Sequence, residues 1–461
     1  MRAYTSLVRH EGNRELFLLT ELSIIGLCSG QPIHIHVEGL RGTGKTTILR
    51  AARWILPPIT RIKGCPYNCD PSAPHCPLHA GLTAEQIAAL GTELIPTPFL
   101  EISHSAKIGT VVGTLDLKRL TDINHPEAAL LPGTLPKAHR GIVFIDEINR
   151  LADTAPELTD ILLDVMGTKP GLIQIEESGL PSVTLPVQVT VWAASNPDED
   201  PGPLTDIRRQ LSDRFDFVAR MGRPVAPREI LHILDNEMKV APGECLNQDR
   251  DRALSLQSAA TKVDDLVMED TILPTLAELY LRHHLESLRG VVALKLGALL
   301  HAAWRGADVV EWSDVAAVAP AALRHRVRPE ELQEILASLE QAFPPAATEA
   351  AGVLAHASAG TRPPGGPNSK EVAKSAGWNP RTRWWQSLRD RWRRFLTATG
   401  ARRPGQSPSR GTVSSQSKAE FPNPLDLPLV SPPQPARPLP ELDLPEAITP
   451  AQSEDGIQHG E

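Results

Sequence analysis

The stretch Gly39-Leu40-Arg41-Gly42-Thr43-Gly44-Lys45-Thr46 constrains this chain more than any other. It fits the pattern G-x-x-x-x-G-K-[ST], and its flanks fit as well. The β-branched run from Ile33 to Val37 predicts a strand before it. Thr46 to Ile55 predicts a helix after it, stopped by Pro57-Pro58. Strand, glycine turn and helix in that order make a cradle for phosphate. The glycines let backbone N–H groups curl around phosphate oxygens with no Cβ in the way, and the helix aims its positive end at the same place. Gly39, Leu40, Arg41, Gly42, Thr43, Gly44, Lys45, Thr46 and Thr47 are therefore expected to hold the phosphates of a nucleotide such as ATP. Lys45 supplies a point charge for the β- and γ-phosphates, and Thr46 a hydroxyl for Mg²⁺.

A second stretch, Gly141 to Asp146, is continuously apolar, as a buried parallel strand should be. It ends in Asp146-Glu147, two carboxylates at the end of a strand where open α/β sheets bind ligands. Asp146 is expected in the Mg²⁺ shell and Glu147 as the general base acting on the attacking water. Val187 to Ala194 predicts a third strand, and Asn196 just beyond it presents an amide to the γ-phosphate or the water. Arg208 and Arg214 lie on a helix expected to start near Leu204. At a subunit edge either could reach a neighbour's phosphate, and either alone could equally be a surface ion pair. Strands alternating with helices, together with a helix over Arg14–Leu27, predict an α/β layer fold with a parallel sheet.

From about Pro227 the pattern changes. Arg228–Met238, Thr271–Leu288, Ala293–Arg305, Trp312–Arg324 and Glu330–Phe343 are all helical in period, with no strand evident. The expected domains are 1–226, α/β; 227–343, helical; and 344–461, a tail. Of 43 prolines, 18 follow Phe343, which predicts disorder in the tail. One helix is expected within it, over 381–397. Trp384, Trp385 and Trp392 share a face there amid arginines, which suits a membrane surface, a partner's groove or the chain's own core.

No run of 18 apolar residues occurs; Thr20 and Glu21 interrupt Leu16 to Cys28. The N-terminus has no secretory core, and five cysteines make no disulfide framework, so a cytoplasmic protein is expected. A net charge of −8 argues against a nucleic-acid partner. The loop over 63–81 gathers Cys65, Cys69, Cys76 and His79 within 15 residues, a donor set that suits structural Zn²⁺. His75 is an alternative fourth ligand. A metal-free reduced loop and an iron–sulfur cluster are the competing readings.

Taken together, Gly39 to Thr47, Val111 to Leu117 (V-V-G-T-L-D-L), Ala138 to Asn149, Asp160 to Val165, Leu211 to Phe215, Leu288 to Gly290 and Leu323 to Arg328 (L-R-H-R-V-R) make the chain resemble a known family. It looks like the AAA+ ATPase motor subunit of magnesium chelatase, subunit I, over roughly residues 15–330. The resemblance implies a P-loop domain followed by a helical lid, and a homo-oligomeric ring that uses ATP and Mg²⁺. It implies Lys45, Thr46 and Asp146 as ATP and Mg²⁺ ligands, Glu147 as the catalytic carboxylate and Asn196 as first sensor. Arg214 matches the finger that reaches the adjacent subunit's ATP, and Arg289 the second sensor. A hairpin insert fits 173–186. The implied partner is a von Willebrand A protein, in metal insertion or metalloprotein maturation. A MoxR-like chaperone for other clients and a DNA motor are the alternatives; the acidic Glu176 and Glu177 of the hairpin count against the latter. The cysteines around Asp70-Pro71-Ser72-Ala73-Pro74 and the long tail depart from the family's pattern.

Overall fold

The computed structural model describes residues 3–115, 130–175, 183–238 and 242–342. The expected tail helix at 381–397, the hairpin tip at 176–182 and residues 116–117 of V-V-G-T-L-D-L lie outside them.

Glu11–Cys28 is α1. Asn13 fixes its start by accepting from the His10 backbone N–H at 2.9 Å and donating to the Val8 carbonyl at 3.0 Å. Ile35–Gly39 is β1 and Lys45–Ala51 is α2, extended by a 3₁₀ turn over Ala52–Ile55. Ile59–Ile62 (β2) pairs antiparallel with Thr92–Ile95 (β3). The cysteine-rich loop and Ala84–Leu90 (α3) fill the gap between them, and the Thr83 and Gln86 side chains cap α3 reciprocally. Phe99–Ile102 is β4. Ile108–Val111 (α4), an antiparallel pair Gly113–Leu115 (β5) and Leu130–Pro132 (β6), and Thr134–Lys137 (α5) lead into Gly141–Asp146 (β7). Ile148–Thr154 (α6) and Pro156–Val165 (α7) follow, with Pro156 at a first-turn position where no N–H is needed. Gly171–Ile175 (β8) and Val183–Val187 (β9) form the ladder of the expected hairpin, and Val189–Ser195 is β10. In place of one helix from Leu204 there are two single turns, Leu204–Ile207 (α8) and Arg209–Ser212 (α9), before Phe217–Met221 (β11).

Five strands form one parallel sheet in the order β11-β1-β10-β7-β4. Side chains alternate across it with period two. Ile142, Phe144, Trp192 and Ala194 face a core shared with α1 and the helical part of the chain. Val143, Ile145, Val191 and Ala193 face a second core shared with α6, α7 and the β2–β3 insert. Both faces are covered, which is why these strands read as unbroken apolar runs. Buried Trp192 donates its indole N–H to Ser23 Oγ at 2.9 Å, and Ser23 donates onward to the Ile33 carbonyl at 2.7 Å, pinning α1 to the sheet.

The C-terminal part is helical: Pro227–Met238 (α10), Pro242–Ala260 (α11), Ile272–Arg282 (α12), Leu288–Arg305 (α13), Trp312–Leu323 (α14) and Pro329–Ala342 (α15). A two-residue parallel pair, Val267–Met268 (β12) with Val309–Val310 (β13), joins it. α12 stops short of the expected Leu288 because His284 takes a φ of +46°. Ser287 then caps α13, accepting from the Arg289 N–H at 3.1 Å.

Glu21 ties α1 to the helical part. Fully buried, it accepts from Arg9 at 2.9 Å, from Arg252 of α11, and from the Trp304 indole of α13 at 2.7 Å. Burial alone would raise its pKa; the Arg252 hydrogen bond and charge, with Trp304 and Arg9, bring it below the usual carboxylate value. The folded pKa lies below the unfolded one, so this contribution is present above the ordinary value and is lost as pH falls through the lowered one. Glu21→Ala should therefore cost about 3–5 kcal/mol, because Arg252 is left in a partly buried site without its partner. Urea unfolding at neutral pH measures it. A loss below about 1 kcal/mol would mean that water replaces the carboxylate freely.

Candidate nucleotide site

Three neighbouring strands deliver the expected groups to one edge of the sheet. Across β1, β10 and β7, Val37 lies opposite Ala194 and Ala194 opposite Asp146. Gly39, Asn196 and Glu147 thus emerge together at the carboxyl ends, the side where parallel sheets bind ligands. At Gly39 a Cβ would sit 2.7 Å from Met221 Cβ and 2.9 Å from its carbonyl oxygen, so only glycine lets β1 and β11 approach. Gly42 and Gly44 have φ of +73° and +92°, the left-handed region that glycine enters without steric cost. This turn brings the chain back so that Lys45 opens α2.

The Lys45 ammonium donates to the carbonyls of Gly39 and Leu40, the latter at 2.8 Å, which holds its charge in the mouth of the loop. Burial lowers its pKa, against the pull of Asp146 and Glu199. Thr46 Oγ1 donates to Asp146 Oδ2 at 3.1 Å. A hydroxyl and a carboxylate from positions 100 apart thus form an oxygen pair suited to a hard cation such as Mg²⁺. Glu147 has a φ of +54°, a conformation a non-glycine residue adopts only when its surroundings enforce it. Its carboxylate is exposed and lies 3.4 Å from Arg150.

Asn196 donates its side-chain amide to Glu199, and Glu199 also pairs with Arg41 of the glycine loop. Asn149 of α6 braces the same turn, donating to the carbonyls of Asn196 at 3.4 Å and Gly202 at 3.2 Å. Glu199 sits in a loop position that carries no sequence signal of its own, and Asn149 is the last residue of the Ala138–Asn149 stretch, which assigns it no separate role.

A cleft of about 550 Å³ opens beside the loop. Arg41 to Gly44 and Thr47 line one side, and Val8, His10, Ile230 and Ile233 the other. An apolar wall facing a phosphate cradle is what a nucleoside needs. Sequence reasoning missed this wall. Its faint signal is the i, i+3 spacing of Ile230 and Ile233 at the first helical turns after the sheet.

Arg214 and Arg289 do not line this cleft, and neither do Lys45, Thr46, Asp146, Glu147 or Asn196. Arg214 lies beyond α9 and not on a helix, because Arg208 adopts a non-helical φ of −146° that splits the expected helix into two turns. Its guanidinium donates to the Gly167 carbonyl at 3.4 Å. Arg289, second residue of α13, pairs with Asp213 at 3.0 Å. Arg326 binds the same Asp213 carboxylate at 3.1 Å and donates to the carbonyls of Asp213, Phe215 and Asp216. The L-R-H-R stretch is thus a clasp between helical part and sheet, completed by Arg324 on Glu15 at 2.6 and 2.8 Å and His325 on the Phe215 carbonyl at 3.0 Å. Away from the nucleotide loop, the donor atoms of Cys65, Cys69, Cys76 and His79 lie within 4.8 Å of one another.

Residues 273–345 match the AAA lid domain family. The magnesium-chelatase 38 kDa subunit of Acidiphilium rubrum is 34% identical over 305 residues, covering 65% of this chain and 85% of that protein. The same subunit of Chlorobaculum tepidum is 31% identical over 333 residues, 70% of this chain and 81% of that protein. Among solved structures, one of the complex between subunits BchI and BchD of magnesium chelatase is 26% identical and covers 72% of this chain and 98% of that one, with a TM-score of 0.39. No helix among the described residues is long and apolar enough to cross a membrane. An identity of 34% sustained over 85% of a relative, with a lid match in the helical part, makes this chain a member of the magnesium-chelatase 38 kDa subunit family of AAA+ ATPases.

Proposed function

We propose that the protein is a Mg²⁺-dependent, ATP-hydrolysing motor that works as a homo-oligomeric ring. In this reading residues 1–226 are the motor domain and 227–343 its lid, and the ring remodels a partner subunit bearing a von Willebrand A domain, in metal insertion or metalloprotein maturation. The observation that carries it is the Thr46–Asp146 oxygen pair at 3.1 Å beside a loop whose two left-handed glycines open its backbone toward phosphate.

Each group then has a task. The backbone N–H groups of Gly42 to Thr46 bind phosphate oxygens, and Lys45 exchanges its loop carbonyls for them. Thr46 and Asp146 would hold the cation, which would neutralise charge on the phosphates. Glu147 accepts the proton of the attacking water, and Asn196, steadied by Glu199, orients that water. Val8, His10, Ile230 and Ile233 enclose the base. Arg289 acts from the lid, and Arg214 serves the neighbouring subunit.

Glu147→Gln tests the chemistry. It preserves volume and leaves Thr46 and Asp146 in place, so ATP binding should persist while phosphate release falls by about 10²–10⁴-fold. Binding of a fluorescent ATP analogue and steady-state phosphate release separate the two. Native turnover in this variant would remove Glu147 from the mechanism. Native protein that neither binds nor cleaves ATP would overturn the motor reading.

A further inference from the structure

We propose that Cys65, Cys69, Cys76 and His79 form a closed structural zinc site that fastens the β2–β3 insert to the start of the Asp146 strand. The three cysteines are buried and His79 is half-buried, and the four donor atoms lie within 4.8 Å of one another. Zinc with Zn–S bonds of about 2.3 Å and Zn–N bonds of about 2.0–2.1 Å has tetrahedral edges of about 3.5–3.8 Å. Cys65 Sγ lies 4.0 Å from Cys76 Sγ, and Cys76 Sγ lies 3.2 Å from His79 Nδ1, so the ligands already stand near those edges.

The backbone is arranged for the same purpose. The N–H groups of His79 and Ala80 donate to the Cys76 carbonyl, making the tight turn that sets Cys76 and His79 on one side. The N–H groups of His75 and Cys76 both point at Cys69 Sγ, at 3.4 Å each, and would offset the negative charge of a metal-bound thiolate. His75 Nδ1 lies 3.3 Å from Cys69 Sγ but falls outside the four-donor set, in which His79 lies within 4.8 Å of all three thiols. His79 is therefore the fourth ligand. Three thiolates and an imidazole fill a tetrahedron and leave no open position, so the site is structural and does no catalysis.

What it fastens can be read from its surroundings. The Ile62 N–H donates to the Cys69 carbonyl, closing the loop onto the end of β2. Asn68 donates to the Lys137 carbonyl at 2.6 Å, and Arg140 reaches back to the Thr60 carbonyl at 2.7 Å and to Asp70 at 3.0 Å. Lys137, His139 and Arg140 immediately precede β7, at the opposite end of that strand from Asp146. The metal therefore stiffens the root of the strand and stays away from the phosphates.

The full chain, purified reduced and without chelator, should carry about one zinc per chain by elemental analysis. Cys69→Ser, Cys76→Ser and His79→Ala should lose it; Cys28→Ser and His75→Ala should keep it. Chelator treatment should expose the 63–81 loop to limited proteolysis while ATP binding persists, and zinc should restore protection. Should the cysteine variants fail to fold, Co²⁺ added to the stripped native chain should give a tetrahedral spectrum with a thiolate charge-transfer band. Zinc well below one per chain together with no such band overturns the proposal. So do iron in place of zinc, a disulfide among these cysteines in the native protein, or loss of metal in His75→Ala.

Discussion

Lys45→Ala is expected to abolish ATP binding at concentrations that saturate the native protein. The ammonium sits at the mouth of the glycine loop, held by the Gly39 and Leu40 carbonyls, and within the field of Asp146 and Glu199. It is the positive charge that offsets those carboxylates when a polyanion enters. Two charge-assisted hydrogen bonds to phosphate at about 1.5–3 kcal/mol each come to about 3–6 kcal/mol, or roughly 10²–10⁴ in affinity. Alanine also frees the two loop carbonyls, so thermal unfolding without nucleotide belongs beside the titration. Unchanged unfolding with lost binding assigns the effect to the phosphates. Affinity within about threefold of native would mean that another cation holds them.

Arg214→Ala should bind ATP normally and hydrolyse it about 10³–10⁵ times more slowly, the range for an arginine supplied to a phosphoryl-transfer site from outside. The side chain donates to the Gly167 carbonyl and does not line the cleft beside its own phosphate loop. In the proposed role across subunits its planar fork would meet a neighbour's γ-phosphate oxygens as charge develops. Burial and the nearby Arg289 charge lower its pKa, so it gains from an anion brought alongside. Mixing Arg214→Ala with Lys45→Ala is the decisive measurement. Each is inactive alone, yet a mixed ring contains interfaces with native Lys45 on one side and native Arg214 on the other, and activity should partly return. If mixed oligomers form and nothing returns, Arg214 does not act across subunits. Arg208, 3.9 Å from Asp160, is then the next arginine to test.

The parallel sheet was legible because both its faces are buried. Gly141–Asp146 reads as an apolar run ending in acid, and the structure starts and stops β7 at those residues. The phosphate loop was legible because its glycines answer a local backbone demand. α11 was not: its 19 residues are mostly polar, and among its described side chains Asp249, Ala253, Leu256 and Ala260 are buried. The break at Arg208 was hidden because no proline or glycine marks it, and it alters how Arg214 is presented. The wall formed by Val8, His10, Ile230 and Ile233 was illegible for another reason. Its members come from before α1 and from α10, more than 200 positions apart, and only the closed fold makes them neighbours. Cys65, Cys69, Cys76 and His79 could be seen as a set, but not which histidine belongs to it, since that depends on which imidazole the folded loop brings within reach of all three thiols.

Asp213 is gripped by Arg289 and Arg326, both carried by the helical part of the chain, while its own peptide bond leads directly to Arg214. The two parts are therefore geared to one another. Ile230 and Ile233, from the first helix of that same part, line the cleft beside the phosphate loop. The residue before Arg214 is thus held by the same part of the chain that walls the cleft.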